Sequence, residues 1–104
     1  MDANFPEHDT AVADWMAQRG WPVTFRHYDP ERDVLAWRAA GVIPSITLRI
    51  TLEALEDVPA HILASALNGL NVAAKLMAAP AAYMVLKRDA SAAGVRVEQL
   101  AALP

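Results

Sequence analysis

The chain has no cysteine, which excludes disulfides, thiolate metal sites and a cysteine nucleophile, and which fits a reducing compartment. Glycine is scarce as well. The four glycines, Gly20, Gly41, Gly69 and Gly94, stand far apart, so no glycine-rich loop is available to cradle a phosphate. Ser45, Ser65 and Ser91 lie outside any G-x-S-x-G elbow. No apolar run is long enough to span a bilayer, and "MDANFPEHDTAVADWM" carries acids where a secretory signal would carry bases ahead of an apolar stretch. The expectation is a cytoplasmic protein with no membrane partner. Basic charge is not in excess: nine Lys and Arg against twelve Asp and Glu give a net charge of -3. Nucleic-acid-binding domains are usually net basic, so that partner class is disfavoured.

What is present is 104 residues, 55% hydrophobic and 20% charged, within the range of one globular domain, 1–104, built on a single core. "DTAVADWMAQRG" predicts a helix with Asp9 at the N-cap, Val12, Trp15 and Met16 on one stripe, and Gly20 just past the end. "WPVTFRHY" switches to period two and predicts a strand, with Val23 and Phe25 on one face and Thr24, Arg26 and Tyr28 on the other.

"YDPERDVLAWRAAG", Tyr28 to Gly41, has two readings. As a hairpin, a loop of Pro30 to Asp33 would pair Tyr28 with Leu35 and Arg26 with Trp37. As a helix, Asp29 is the N-cap, Pro30 occupies N1, Glu31 and Arg38 complement the dipole, and Gly41 and Pro44 end it. The number of cap signals favours the helix, although Glu31 and Arg38 interrupt the apolar stripe of Val34, Leu35 and Trp37.

"PSITLRIT" predicts a strand in which Ile46, Leu48 and Ile50 alternate with Thr47, Arg49 and Thr51. A short helix from Leu52 and a stronger one capped by Asp57, with Pro59 in its first turn and an apolar face of Ile62, Leu63, Ala66, Leu67 and Leu70, come next. A further short helix runs from about Asn71 to Pro80, then a strand from Ala82 to Arg88, and a short final helix near Val97 to Leu103. "SAAGVRVEQLAAL" matches part of the pattern for the turn and second helix of helix-turn-helix proteins, but it lacks a suitable preceding helix and has Arg96 as its one base, so an Ala-rich packing helix is the preferred reading. The fold expected is α+β: a three-stranded sheet, one face covered by helices, its first two strands forming a parallel βαβ unit across 29–41.

Candidate chemistry is thin. His8, His27 and His61 have none of the spacings that put two metal ligands on one helix face. The acid pairs Glu31/Asp33, Glu53/Glu56 and Glu56/Asp57 fall at expected helix starts, where they complement the dipole. No motif implies a catalytic residue, a cofactor or a metal. The polar face expected for the sheet is the remaining candidate: Thr24, Arg26 and Tyr28 beside Thr47 and Arg49, with Tyr83 and Lys87 on a third strand. There Arg26, Tyr28 and Arg49 would bind an anionic ligand or a single nucleic-acid strand.

Three function classes follow. The favoured one is a non-enzymatic protein–protein interaction module, a small regulator, inhibitor or subunit that binds a protein partner or itself as a homodimer, with its three Trp as interface anchors. Anionic-ligand binding through the sheet face is the alternative. The third is a small enzyme with an unrecognised site, in which His27 and a nearby acid would act.

Overall fold

The computed structural model describes residues 5–39, 41, 45–78, 83–88 and 95–100, with the backbone alone at 83–85, 88 and 95–100. The elements, in order, are α1 Pro6–Ala17, β1 Phe25–Asp29, β2 Val34–Ala39, β3 Ile46–Thr51, α2 Leu52–Asp57, α3 Ala60–Gly69, α4 Val72–Ala78, β4 Tyr83–Arg88 and β5 Val95–Leu100. The strands form one five-stranded sheet in the order β1-β2-β3-β4-β5. All neighbours are antiparallel except β3 and β4, which run parallel. The fold is α+β, and no helix among the described residues is long and apolar enough to cross a membrane.

Residues 29–39 form the turn and second strand of a hairpin, not a helix, and this corrects the expected topology. Tyr28 pairs with Leu35 and Arg26 with Trp37, as the hairpin alternative requires. The residues read as a helix cap build a turn instead. Asp29 Oδ1 accepts from the amides of Glu31 (3.0 Å) and Arg32 (3.3 Å), Asp29 Oδ2 accepts from Arg32 Nη1 at 2.9 Å, and Asp33 turns the chain with φ 56°. An Asp-Pro pair serves either role, because an aspartate that caps a helix is also one that closes an Asx turn. The pattern beyond it decides the matter: Leu35, Trp37 and Ala39 are buried while Ala36 and Arg38 are less so, which is the period of a strand.

The expected parallel unit across β1 and β2 is therefore absent. The parallel pair is β3 and β4, and the crossover between them contains α2, α3 and α4, the length such a connection needs. The sheet has five strands and not three, because β2 replaces the expected helix and β5 runs through the first part of the final helix expected near Val97 to Leu103, whose end lies outside the described residues. With Val95–Leu100 a strand, the helix-turn-helix resemblance has no structural basis.

All the helices lie on one face of the sheet. Val12, Trp15 and Met16 of α1, Ala54 and Leu55 of α2, Leu63 and Leu67 of α3, and Val72 and Leu76 of α4 close over Leu35, Trp37, Ala39, Ile46, Leu48, Ile50 and Leu86. In β3 the alternation is as expected, with Ile46, Leu48 and Ile50 buried and Thr47, Arg49 and Thr51 half-buried. Other details differ from expectation. Helix α1 begins at Pro6, so Asp9 lies in its first turn and caps nothing; α3 takes Pro59 and not Asp57 at its N-cap. Phe25 lies outside the core and is 56% exposed.

Two of the three tryptophans, Trp15 and Trp37, are buried, and each indole N–H has a designated acceptor. Trp37 Nε1 donates to Asp9 Oδ1 at 3.0 Å, and the Arg26 guanidinium bonds the same carboxylate. Trp15 Nε1 donates to Asn68 Oδ1 at 2.9 Å, where Arg19 Nη2 also donates at 2.7 Å. Arg19 stacks over the Trp15 ring, 4.1 Å from its centroid. The first contact ties α1 to β1 and β2, the second ties it to α3.

Removing one acceptor leaves a buried indole unpaired. Asp9→Ala is expected to destabilise the fold by about 2 kcal/mol in urea unfolding, whereas Asp9→Asn, which keeps an acceptor oxygen for Trp37, should recover about half of that loss. Equal losses in the two variants would show that the Arg26 ion pair, not the indole, is what Asp9 serves.

Candidate functional site

Cross-strand partners point to the same side of a sheet and successive residues to opposite sides. In this register Arg26 stands with Trp37 and Leu48, and Tyr28 with Leu35 and Ile50, so both belong to the helix-covered side. Arg49 stands with Ala36 and His27 on the other side. The set Arg26, Tyr28 and Arg49 is thus divided between the two faces of the sheet. The Arg26 guanidinium turns to Asp9, and the Tyr28 hydroxyl donates to Asp33 Oδ1 at 2.8 Å. Thr24 precedes β1, and both its amide and its hydroxyl donate to the Arg38 carbonyl, at 2.9 and 3.4 Å. Of Tyr83 only the backbone is described.

No helix packs on the other face among the described residues, and a different group gathers there. Phe25 and His27 alternate onto it from β1 and stack on each other, with ring centroids 6.0 Å apart and planes within 16°. Exposed Arg38 faces Phe25 across the strand pair, and Thr47 faces Arg38. Arg49 and Lys87 are half-buried farther along, and Val34 is buried between Asp29 and Thr51. Phe25, His27 and Arg38 were outside the expected set. The signal for them was the hairpin pairing itself, because Leu35 and Trp37 are obvious core residues and whatever stands opposite them must share the core side.

Charge is divided between the two layers although the net charge is -3. The strands carry Arg26, Arg38, Arg49, Lys87, Arg88 and Arg96 against Asp29 and Glu98. The helices carry Glu7, Asp9, Asp14, Glu53, Glu56 and Asp57 against Lys75. The sheet is net basic beneath a net acidic helical layer, so the overall charge does not describe the surface that a partner of the sheet would meet.

At the turn end of the sheet an open depression of about 330 Å³ is lined by Arg32, Asp33, Thr51, Glu53 and Lys87. Its acids and bases balance. Thr51 is already engaged, donating to the Leu86 carbonyl at 3.3 Å and accepting from the Ala54 amide at 3.2 Å. The histidines remain dispersed: His8 Nε2 donates to the Val58 carbonyl at 2.7 Å, His27 stacks on Phe25, and His61 is exposed on α3. Among the described residues no group of three His, Asp or Glu could hold a metal ion. Comparisons with protein-family models, with curated proteins and with solved structures gave no match.

Two groups at the hairpin turn titrate away from their ordinary values, in opposite senses. Tyr28 is raised, first by its hydrogen bond to Asp33, then by desolvation and by the negative charges of Asp33 and Asp29. For Asp29 burial acts upward, but the Arg32 side chain and the amides of Arg32 and Glu31 together outweigh it and hold the carboxyl low. A raised phenol contributes stability that is complete below its unfolded value of about 10 and is lost as pH rises through the folded value. A lowered carboxyl contributes stability that is present above its unfolded value of about 3.9 and is lost as pH falls through the folded value. Urea midpoints measured across pH should therefore fall at both extremes, with Tyr28→Phe flattening the alkaline limb and Asp29→Asn flattening chiefly the acid limb, since the Asp29 charge is the smallest of the causes that raise Tyr28. An unchanged alkaline limb in Tyr28→Phe would assign that loss elsewhere.

Proposed function

We propose that the protein is a non-enzymatic interaction module, a small regulator, inhibitor or subunit of a larger assembly, whose contact surface is the helix-free face of the sheet. The observation that carries this reading is Phe25. It is 56% exposed on a regular strand, stacked on His27 and next to Arg38. An aromatic ring held rigidly in water beside an arginine has the composition of an interface core. Trp15 and Trp37 are core residues and Trp21 is half-buried against Trp15; Phe25 takes the anchor role.

A second reading, binding of an anionic ligand or a single nucleic-acid strand, is favoured by the basic balance of the sheet and by the stacked ring pair. In it Arg49 keeps the role expected from the sequence, and Phe25, His27 and Arg38 replace Arg26 and Tyr28.

The test is the mass of the native particle, by sedimentation of the tagged chain in its own extract and of the purified chain at micromolar concentration. A particle larger than the monomer is expected, with Phe25→Ser and Arg38→Glu returning it to monomer mass while stability changes by less than about 0.5 kcal/mol. Met77→Ser, at a residue 68% exposed on α4, should leave the particle intact. A monomer under both conditions, or a particle that survives both sheet-face variants, would refute this surface as the contact.

A further inference from the structure

We propose that the free edge of β1 takes up a short, extended, acidic segment of a partner protein as an added strand. This rests on the sheet-face reading above and deepens it by naming the chemistry of the partner.

The edge is the first observation. β1 is one of the two terminal strands of the sheet, and Phe25, Arg26 and His27 are all exposed although they alternate between its faces. In β3, by contrast, every second residue is buried. Consecutive exposure on both faces means that nothing among the described residues covers the strand from the side. Half of the backbone amides and carbonyls of an edge strand have no partner in the sheet. An extended peptide supplies the matching groups at the matching spacing, and its main chain then provides affinity while alternate side chains provide selectivity. A polynucleotide has no such ladder, which favours a protein segment over a nucleic acid. Pro30 has no amide to donate and ends the ladder, so the segment accommodated is short, about five residues.

The charge of the partner follows from the side chains that flank the edge. An added strand would lie about 5 Å from β1 and about 10 Å from β2, within reach of Arg38 by a glutamate of the incoming chain. Its residues on the open face would meet the Phe25–His27 stack, and those on the other face would pass Arg26, which already holds Asp9. Asp29 is occupied by Arg32. Arg49 and Lys87, both half-buried, extend the basic field inward. A segment alternating acidic with apolar residues matches both the field and the ring; a basic segment meets repulsion.

The experiment titrates the isotopically labelled full chain with four probes: a short capped peptide alternating glutamate with valine, the same peptide with alternate amides N-methylated, its lysine–valine counterpart, and a single-stranded oligonucleotide of mixed sequence. Saturable amide shifts over Phe25–Asp29 are expected with the first peptide, with affinity reduced about five-fold or more by Arg38→Glu and about ten-fold or more by N-methylation. Equal binding of the N-methylated peptide, with shifts on Ala36, Thr47 and Arg49, would overturn strand addition and leave the sheet-face reading standing. The same shifts from the oligonucleotide but not from the acidic peptide would replace the protein segment by a nucleic acid. Concentration-dependent shifts over β1 without any probe would make the occupant a second copy of the chain. Equal binding of the lysine peptide would overturn the acidic partner, and shifts confined to the helices would sink both readings.

Discussion

Two buried indoles govern how the helical layer is seated on the sheet. Trp15 and Trp37 are the largest side chains in the core, and burying either without an acceptor for its N–H would cancel much of what the ring contributes. Asp9 and Asn68 solve the problem from opposite ends of the layer. Asp9 reaches from α1 down to Trp37 on β2, and Asn68 reaches from α3 across to Trp15 on α1. Helix α1 is thereby located in two directions by directional bonds, while Val12 and Met16 supply the undirected burial between them. The arginines are secondary in this scheme. Arg26 and Arg19 share the same two acceptor oxygens from the exposed side.

These contacts also explain which parts of the sequence were legible. β3 and the apolar stripe of α1 follow from periodicity alone, because each is set by local spacing against one core. The hairpin was not legible from its caps: Asp29 and Pro30 satisfy a helix start and a turn equally well, and the local cap signals outnumbered one global one. That global signal was the stripe itself, in which Glu31 and Arg38 interrupt a helix but Leu35, Trp37 and Ala39 alternate cleanly in a strand. In β5 the spacing of Val95 and Val97 pointed to a strand, and the alanines that follow drew the reading towards a helix. Asp9 was read as a cap because an aspartate ahead of an apolar stripe is usually one; its service to a tryptophan far along the chain is a tertiary fact with no local signature.

The candidate site suffered from the topological error more than the fold did. Once β1 and β2 are antiparallel, the register assigns Arg26 and Tyr28 to the side of Trp37 and Leu35, and the expected constellation with Arg49 separates. The same correction assembles Phe25, His27 and Arg38. A one-residue difference in facing exchanges the whole set of side chains presented to a partner, so a site on a sheet can be no more certain than the pairing of its strands. Thr47 and Arg49 were legible because β3 was.

The one-sided covering of the sheet leads to the functional argument. Four helices suffice to close one face, and the other must tolerate water, which Thr47, Arg49, Thr51 and Lys87 allow. The charge division follows the same layering: Arg38, Arg49 and Lys87 keep the open face hydrated, while the acids of α1 and α2 belong to the helical layer, where Asp9 pairs with Arg26 on the covered side. Phe25 departs from this economy. A threonine or lysine at that position would hydrate the edge and discourage pairing, whereas phenylalanine stacked on histidine leaves an apolar surface at a strand margin where a further strand could be added. An exposed ring among residues otherwise chosen for water is the physical basis for seeking a partner at β1 and not on the helices.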